Sequence, residues 1–282
     1  MILIADSGST KTDWRLIQAE EKIRPVQTAG INPFFQDKNT IKIILQDSLI
    51  PAIAIDAKEV KQIYFYGAGC STADKKQEVA GALSELFIHA GVHIETDMLG
   101  AARALCGKEA GIACILGTGS NSCYYDGTTI TENTPSFGYL FGDYGSGAHI
   151  GKTLIQQYFD KQLPADLQKN FEARKENTRE LMLENVYKKP FPNRYLAGFS
   201  KFVFQNKEHP YCIDLLKKCF HLFFEKQVEQ YPAHKKVPIH AVGSVAYYYN
   251  SIVKAVAEER GLNMGTIIET PIAALTLYHL EN

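Results

Sequence analysis

The chain of 282 residues lacks several features that mark particular classes of protein. No apolar run approaches the roughly 18 residues that a membrane-spanning helix needs, and the first residues do not resemble a secretory signal. Basic and acidic residues nearly balance, with a formal net charge of −1. No basic cluster indicates a nucleic-acid or membrane surface. We therefore expect a protein whose partner is neither a membrane nor a nucleic acid.

Cysteine pairs at metal-ligand or redox spacing are also missing. The six cysteines form no C-x-x-C motif, and several stand in apolar runs where a free cysteine is usually a small buried hydrophobe. We therefore expect a reduced, cytoplasmic protein of enzyme size. The six are Cys70, Cys106, Cys114, Cys123, Cys212 and Cys219.

The first residues predict a strand, a tight turn and a second strand. Ile2–Ala5 is a short apolar run, Asp6 closes it, and residues 12–16 alternate between polar and apolar. The turn between them is rich in small and hydroxyl-bearing residues. It could aim N–H groups and hydroxyls at a phosphate, with Asp6 near a hydrated Mg²⁺, or it could be an ordinary surface hairpin. It is not a P-loop, because Ala5 and Thr10 stand where that motif needs glycines.

A similar strand–turn–strand pattern returns later in the chain. Gly111–Leu116 predicts a buried strand, residues 117–119 a glycine turn, and residues 122–125 a partner strand. The repetition predicts an α/β protein of two similar lobes, each on a βββαβα plan. We place the lobes at residues 1–107 and 108–269, with a helical insertion at about 163–231 in the second. The terminal helix, 270–282, is a candidate addition to the first lobe.

Other candidate residues stand where predicted strands end, which is where ligands collect in α/β sheets. Val242–Ser244 is a third strand–glycine turn. Asp97 lies between a strand and a helix, and there it could be a general base or a helix cap. Asp143, near another helix start, could equally be a cap or a ligand, and Asn32 alone would be read as a loop residue. Tyr247–Tyr249 are interpreted as packing residues rather than a base-stacking platform, although one of the rings could contact a base.

Together these stretches resemble the sugar kinase–Hsp70–actin superfamily of ATPases. DSGSTKTDWRL is similar to its first phosphate motif, GTGSN to its second, and VGSVAYYY to its adenosine motif. More narrowly, the order of motifs resembles the N-acetylglucosamine kinase branch, which is grouped with ATPases that activate benzoyl-CoA reductase and 2-hydroxyacyl-CoA dehydratase. The supporting stretches are GINPF (30–34), ETDMLGAARAL (95–105), ILGTGSNS (115–122), FGYLFGDYGSGAHIG (137–151) and PIAAL (271–275).

The resemblance implies two ribonuclease H-like, or actin-like ATPase, lobes around a nucleotide cleft. It also implies a role for each matching residue. Asp6 would hold Mg²⁺ through water, and Asp97 would be the catalytic base. The implied phosphate contacts are Gly8, Ser9, Thr10, Lys11, Gly117, Thr118 and Gly119; the adenosine contacts are Gly243, Ser244 and Ala246. The implied sugar-binding residues are Asn32, Asp97, Thr118 and Asp143.

The implied activity is phosphorylation of an amino-sugar hydroxyl by ATP with Mg²⁺, most simply of N-acetylglucosamine to its 6-phosphate, in a homodimer. Pro33-Phe34 differ from the bulkier sugar-contacting pattern of the animal kinases, so the sugar stays open. Two alternatives remain. One is an ATPase that drives a partner dehydratase, although its cluster-binding cysteines and its second motif are not matched. The other is a nucleotide-binding regulator without kinase activity.

Overall fold

The computed structural model describes residues 1–8, 10–18, 22–174 and 178–281. The chain forms two compact units, of which the first comprises Met1–Lys108 and Thr270–Asn282 and the second comprises Glu109–Glu269. Within the described residues, no helix has both the length and the apolar character that crossing a bilayer requires.

The first unit is built on a five-stranded sheet with the order β3-β2-β1-β4-β5. The three strands of the opening meander pair antiparallel, and β4 and β5 continue the sheet parallel to β1. The strands are β1 (Ile2–Ser7), β2 (Lys11–Ile17), β3 (Ile23–Ala29), β4 (Gln62–Gly67) and β5 (Gly91–Thr96).

Strand β1 is central in this sheet, and it is buried on both faces because its residues alternate between two cores. Leu3 and Ala5 belong to the larger core, together with Trp14. Ile4 packs on the other face with Ile272 of the terminal helix. The helices of the unit are α1 (Lys38–Ile44), α2 (Ile50–Ile53), α3 (Ala73–Leu86), α4 (Asp97–Cys106) and α14 (Ile272–Leu280).

The second unit repeats the same sheet. Its order is β8-β7-β6-β9-β10, with β6 taking the place of β1, and the antiparallel and parallel pairings recur in the same positions. The predicted α/β fold with two like sheets is therefore confirmed. The strands are β6 (Gly111–Leu116), β7 (Ser120–Tyr125), β8 (Ile130–Asn133), β9 (Ile239–Val242) and β10 (Met264–Ile268).

Helices occupy most of the predicted insertion in the second unit. Phe220 and Phe223 of this region are buried in the core of the unit, where they join residues of β6 and of the helix that follows the glycine-rich stretch. The helices are α5 (Gly138–Phe141), α6 (Gly147–Phe159), α7 (Ala165–Glu172), α8 (Arg179–Tyr187), α9 (Pro192–Gly198), α10 (Ser200–Gln205), α11 (Pro210–Phe223), α12 (Ser244–Tyr248) and α13 (Asn250–Glu259).

Two glycines of α6 let α9 approach it closely. A Cβ atom at Gly151 would lie 1.9 Å from the carbonyl oxygen of Leu196, and one at Gly147 would lie 3.2 Å from the Cβ of Ala197. Gly147 and Gly151 are four residues apart, so they lie on one face of the helix. The absence of side chains on that face therefore fixes the position of α9.

We predict that Gly151→Ala destabilises the protein, because the new methyl group would collide with the backbone of α9. Overpacking of this kind costs about 1–3 kcal/mol or more, measurable as a lower urea midpoint. Gly198→Ala is the matched control, since a Cβ atom there meets no atom within 4 Å. Equal stability of the Gly151→Ala variant and the unmodified protein would contradict this account of the packing.

Candidate active site

In the first unit, three parallel strands end side by side. The pairing aligns Ser7 of β1 with Gly67 of β4, and Gly67 with Thr96 of β5. Asp6 is one residue before the end of β1, and Asp97 directly follows β5. Asp6 shares a face of β1 with Ile4, which packs against the terminal helix on the side that α4 also covers. Sheet register thus brings the two predicted carboxylates to one edge.

Asp97 is not the cap of α4. The hydroxyl of Thr96 caps the helix, accepting the Leu99 N–H at 3.1 Å. Asp97 is the first helical residue, and its carboxylate accepts the N–H of Met98 at 2.9 Å. Burial raises the pKa of Asp97, against the opposing effect of that hydrogen bond. The side chain therefore has the raised basicity of a candidate proton acceptor.

Asp6 is a second perturbed carboxyl group at this edge. Burial, with the negative charges of Asp97 and Asp13, raises its pKa to about 7, and Lys11 offsets part of the effect. Asp13 lies opposite Asp6 on β2 and is itself paired with Lys11 at 2.8 Å. A divalent cation would relieve this repulsion, and Mg²⁺ commonly binds one or two carboxylates with waters and substrate phosphates.

No group of three or more His, Cys, Asp or Glu side chains that could hold a metal ion is found in the described parts of the chain. Mg²⁺ keeps several of its waters in proteins and is often bound by one or two carboxylates. The Asp6 carboxylate fits this mode of binding.

Hydrogen bonds within the β1–β2 turn, and from its flanking strands to the loop after β3, hold the turn in place. Gly8 donates its N–H to the carbonyl of Lys11 at 3.0 Å. The buried hydroxyl of Ser7 bonds the hydroxyl of Thr12 at 2.6 Å and donates to the carbonyl of Ile31 at 2.9 Å. Thr10 and Lys11 are exposed, close in the chain to this buried hydroxyl group. Ser9, the remaining predicted phosphate contact of the turn, lies outside the described residues.

Asn32 organises the loop after β3. Its Oδ1 accepts the N–H of Phe34 at 3.0 Å, and its own N–H donates to Gln36 at 2.8 Å. Gly69 has a positive φ of 82° and packs so closely that a Cβ atom there would lie 2.3 Å from Asn32 Oδ1. Asn32, considered without the family resemblance, is interpreted as a loop residue, and the structure places it in a loop. No pattern in the sequence indicates that Gln36 and Gly69 contact Asn32 in this loop.

In the second unit, the N-terminus of α6 holds the Gly117–Gly119 turn. Gly147 and Ala148 donate their N–H groups to the carbonyls of Gly117 and Thr118, at 2.8 and 3.1 Å. These are first-turn N–H groups that have no partner inside their own helix. Thr118 is exposed at the tip of the turn. The glycine-dense stretch thus supports the second predicted phosphate motif directly.

Asp143 is buried beside this turn and does not cap α6. Ser146 is the cap, accepting the N–H of His149 at 3.1 Å. Asp143 has a positive φ of 53° and accepts the N–H of Ser120 at 3.1 Å. Burial raises its pKa, and a Cβ atom at Gly119 would lie 3.0 Å from its carboxylate oxygens. Asp143 and the Gly117–Gly119 turn are therefore brought together.

The third predicted turn lies against the end of β6. Gly243 has φ of 124°, and a Cβ atom there would lie 2.3 Å from the carbonyl oxygen of Leu116. Only glycine fits that contact. As a result α12 begins beside the Gly117–Gly119 turn, and Ser244 is its first residue. Ala246 is fully buried in the core.

A pocket of about 550 Å³ opens between these turns and the helical insertion. Thr118 and Ser244, two of the residues that the resemblance assigns to the nucleotide, line it. Sequence reasoning missed the residues from α9 and α10, because the insertion matched no motif. Tyr248 belongs to the three tyrosines interpreted as packing residues, with one ring left open as a contact to a base, and it lines the pocket. The lining residues are Thr118, Gly147, Arg194, Ala197, Gly198, Ser200, Lys201, Phe204, Ser244, Val245, Tyr248 and Tyr249.

We predict that Asp6→Asn stabilises the protein at alkaline pH in the absence of Mg²⁺. The folded state raises the pKa of Asp6 from 3.8 to about 7, so folding favours the protonated form, and this stability is lost as pH rises toward 7. The free energy of unfolding of Asp6→Asn, relative to that of the unmodified protein, should therefore increase by about 2.6 kcal/mol between pH 5 and pH 8. Urea unfolding at both values measures it, and a pH-independent difference would contradict the raised pKa.

Neither a protein-family model nor a curated protein matches the chain. Solved structures do match. A candidate N-acetylglucosamine kinase from Porphyromonas gingivalis is 43% identical, with a TM-score of 0.95 over 100% of this chain and 99% of the other. A candidate N-acetylglucosamine kinase from Chromobacterium violaceum is 17% identical, with a TM-score of 0.77 over 98% of each chain.

A more distant structure is a ROK family glucokinase from Streptomyces griseus, in complex with glucose and AMPPNP. It is 12% identical, with a TM-score of 0.64 over 98% of this chain and 97% of the other. At such identities the Chromobacterium and Streptomyces structures show a shared fold alone. The Porphyromonas structure is similar in sequence along the whole chain, and the motifs and the two like sheets agree with it. The chain therefore belongs to the N-acetylglucosamine kinase-like family of the sugar kinase–Hsp70–actin superfamily.

Proposed function

We propose that the protein transfers the γ-phosphoryl group of ATP to a hydroxyl of an amino sugar, most simply N-acetylglucosamine, giving its 6-phosphate. The observation that carries this proposal is the placement of Asp97. It lies at a strand end, leaves the capping of α4 to Thr96, and has its pKa raised by burial. The similarity to the candidate N-acetylglucosamine kinase from Porphyromonas gingivalis supports the same substrate.

In this proposal, Asp97 accepts the proton of the attacking hydroxyl. A carboxylate in that role typically contributes 10²–10⁴-fold to the rate. Phosphoryl transfer otherwise depends on positioning and on neutralising charge. Asn32 and Asp143 would bind hydroxyl or amide groups of the sugar, since Asn32 is already held by the N–H of Phe34 in its own loop and Asp143 by the N–H of Ser120 at the start of β7.

Mg²⁺ would be held through water by Asp6. The ion would neutralise charge on the phosphates. Asp6 must then be ionised, and a cation nearby lowers the pKa that burial and the acidic neighbours raise. Gly8, Ser9, Thr10 and Lys11 of the same turn would contact the phosphates.

The second unit would hold the nucleotide. Gly117, Thr118 and Gly119 would contact the phosphate chain, and Gly243, Ser244 and Ala246 would surround the adenosine. The pocket that Thr118 and Ser244 line supports this assignment, because its volume of about 550 Å³ lies in the usual range for small-molecule sites. Ala246 would contribute through its backbone, because its side chain is buried.

We also propose that the two compact units are the two ATPase lobes. A homodimer and a cytoplasmic location stay predictions. The alternative of an ATPase that drives a partner dehydratase gains no support from the cysteines, all six of which are buried. Burial raises the pKa of the Cys70, Cys106 and Cys219 thiols to about 12, which disfavours the thiolate form that binds iron.

The proposal predicts that an amino sugar stimulates release of ADP from Mg-ATP. The assay compares N-acetylglucosamine, glucosamine, N-acetylmannosamine, N-acetylmuramic acid and glucose, using pure protein and a coupled measurement of ADP. We expect strong stimulation by N-acetylglucosamine, because the sugar hydroxyl replaces water as the acceptor. ATP turnover that no sugar changes would instead favour the partner-driving ATPase.

We further predict that Asp97→Asn lowers the rate of phosphoryl transfer at least about 10²-fold. The affinity for ATP should stay unchanged, because the substitution keeps the shape of the side chain and removes only its ability to accept a proton. Stopped-flow or coupled kinetics give the rate, and calorimetry gives the affinity.

Asp74→Asn is the matched control for this variant. Asp74 is also an aspartate in the first turn of a helix of the same unit, but it is exposed. It should keep full activity. A rate for Asp97→Asn within a few-fold of the unmodified protein would remove Asp97 from the proton-transfer step.

A further inference from the structure

The pocket of the second unit is cationic on the side that the helical insertion forms. Arg194 of α9 and Lys201 of α10 line it, and none of its described lining residues is acidic. The remaining lining residues are small, aromatic or hydroxyl-bearing. Such a pocket suits a ligand that combines a flat apolar part with an anionic part.

The position of α9 places the cationic side of the pocket close to the Gly117–Gly119 turn. A Cβ atom at Gly147 would lie 3.2 Å from the Cβ of Ala197 and 3.3 Å from the carbonyl oxygen of Gly117. The Gly117–Gly119 turn, the start of α6 and the end of α9 therefore meet at one point. Lys201 follows Ala197 by four residues, in the first turn of α10.

The start of α10 is fastened to the opposite wall of the pocket. Tyr249 donates its hydroxyl hydrogen to the carbonyl of Ser200 at 2.8 Å. One turn further on, the ring of Phe204 lies 5.5 Å from the ring of Tyr248, centroid to centroid, in an edge-on arrangement. Lys201 thus lies between two residues of α10 that are anchored to Tyr249 and Tyr248 of the same pocket.

The charge of Lys201 is available to a ligand. Its side chain makes no ion pair or hydrogen bond within the described residues, although it lines the pocket. Arg194 differs, since its guanidinium lies 4.0 Å from the centroid of the Phe191 ring. Lys207, beyond the end of α10, has its Nζ 5.0 Å from the centroid of the Phe204 ring and does not line the pocket.

We propose that Lys201 binds the phosphate chain of the nucleotide and so makes the helical insertion part of the nucleotide site. The proposal rests on the proposed function, in which a nucleotide occupies this pocket. The ammonium group supplies a charge-assisted contact to phosphate oxygens. The glycine turn holds the same chain from the other side, and the Phe204–Tyr248 pair lies on the side of the base.

Binding of a nucleotide series tests this role. Calorimetry measures the dissociation constants of adenosine, AMP, ADP and ATP for the unmodified protein, for Lys201→Gln and for the control Lys207→Gln. We expect Lys201→Gln to raise the dissociation constants of ADP and ATP about tenfold and that of adenosine less than about twofold. Lys207→Gln should leave all four unchanged, and Lys201→Arg should restore most of the affinity for ADP and ATP.

The outcomes separate the two proposals. If Lys201→Gln weakens adenosine as much as ATP, the residue supports the wall of the pocket and binds no phosphate. If ATP binds equally well to Lys201→Gln and to the unmodified protein, the role of Lys201 is overturned while the proposed function stands. If the unmodified protein binds no member of the series, the proposed function itself is overturned.

Discussion

Burial of the Asp6 carboxyl group, together with the nearby negative charges of Asp97 and Asp13, raises its pKa to about 7. The electrostatic interaction between these carboxyl groups does not favour this arrangement, because like charges in a buried site destabilise the ionised state. The pairing of the strands imposes it. Parallel pairing of β1, β4 and β5 aligns the strand ends, and Thr96 starts α4 so that Asp97 becomes its first residue. A bound cation would turn this unfavourable arrangement into a binding site.

The second unit has the same sheet topology but a site of different chemistry. Its turn of Gly117–Gly119 is held by N–H groups from the start of α6, and the helical insertion brings Arg194 and Lys201 to the adjoining pocket. The glycines of α6 matter here because they allow α9 to lie directly against the turn. One sheet topology therefore carries an acidic edge suited to a metal ion and a cationic pocket suited to a phosphorylated ligand.

Local pattern was enough to predict most of the strands and the glycine turns, since apolar runs bounded by glycine are strong signals. Strand β10 was missed because its short stretch is only partly buried and contains Gly265. Whether Asp97 and Asp143 cap helices could not be decided, because Thr96 and Ser146 are equally good caps and stand nearby. The pocket residues of the insertion were also missed. A helical pattern shows which residues face the core, but not which polar residues meet a turn formed far away in the sequence.

In the proposed reaction a sugar hydroxyl, and not water, receives the phosphoryl group. The ³¹P NMR spectrum of a reaction containing the protein, Mg-ATP and N-acetylglucosamine distinguishes the two acceptors. We expect a phosphomonoester signal, coupled to the protons on C6 of the sugar, that grows in equal amount with ADP. Inorganic phosphate growing with ADP, and no sugar phosphate, would contradict the proposed reaction.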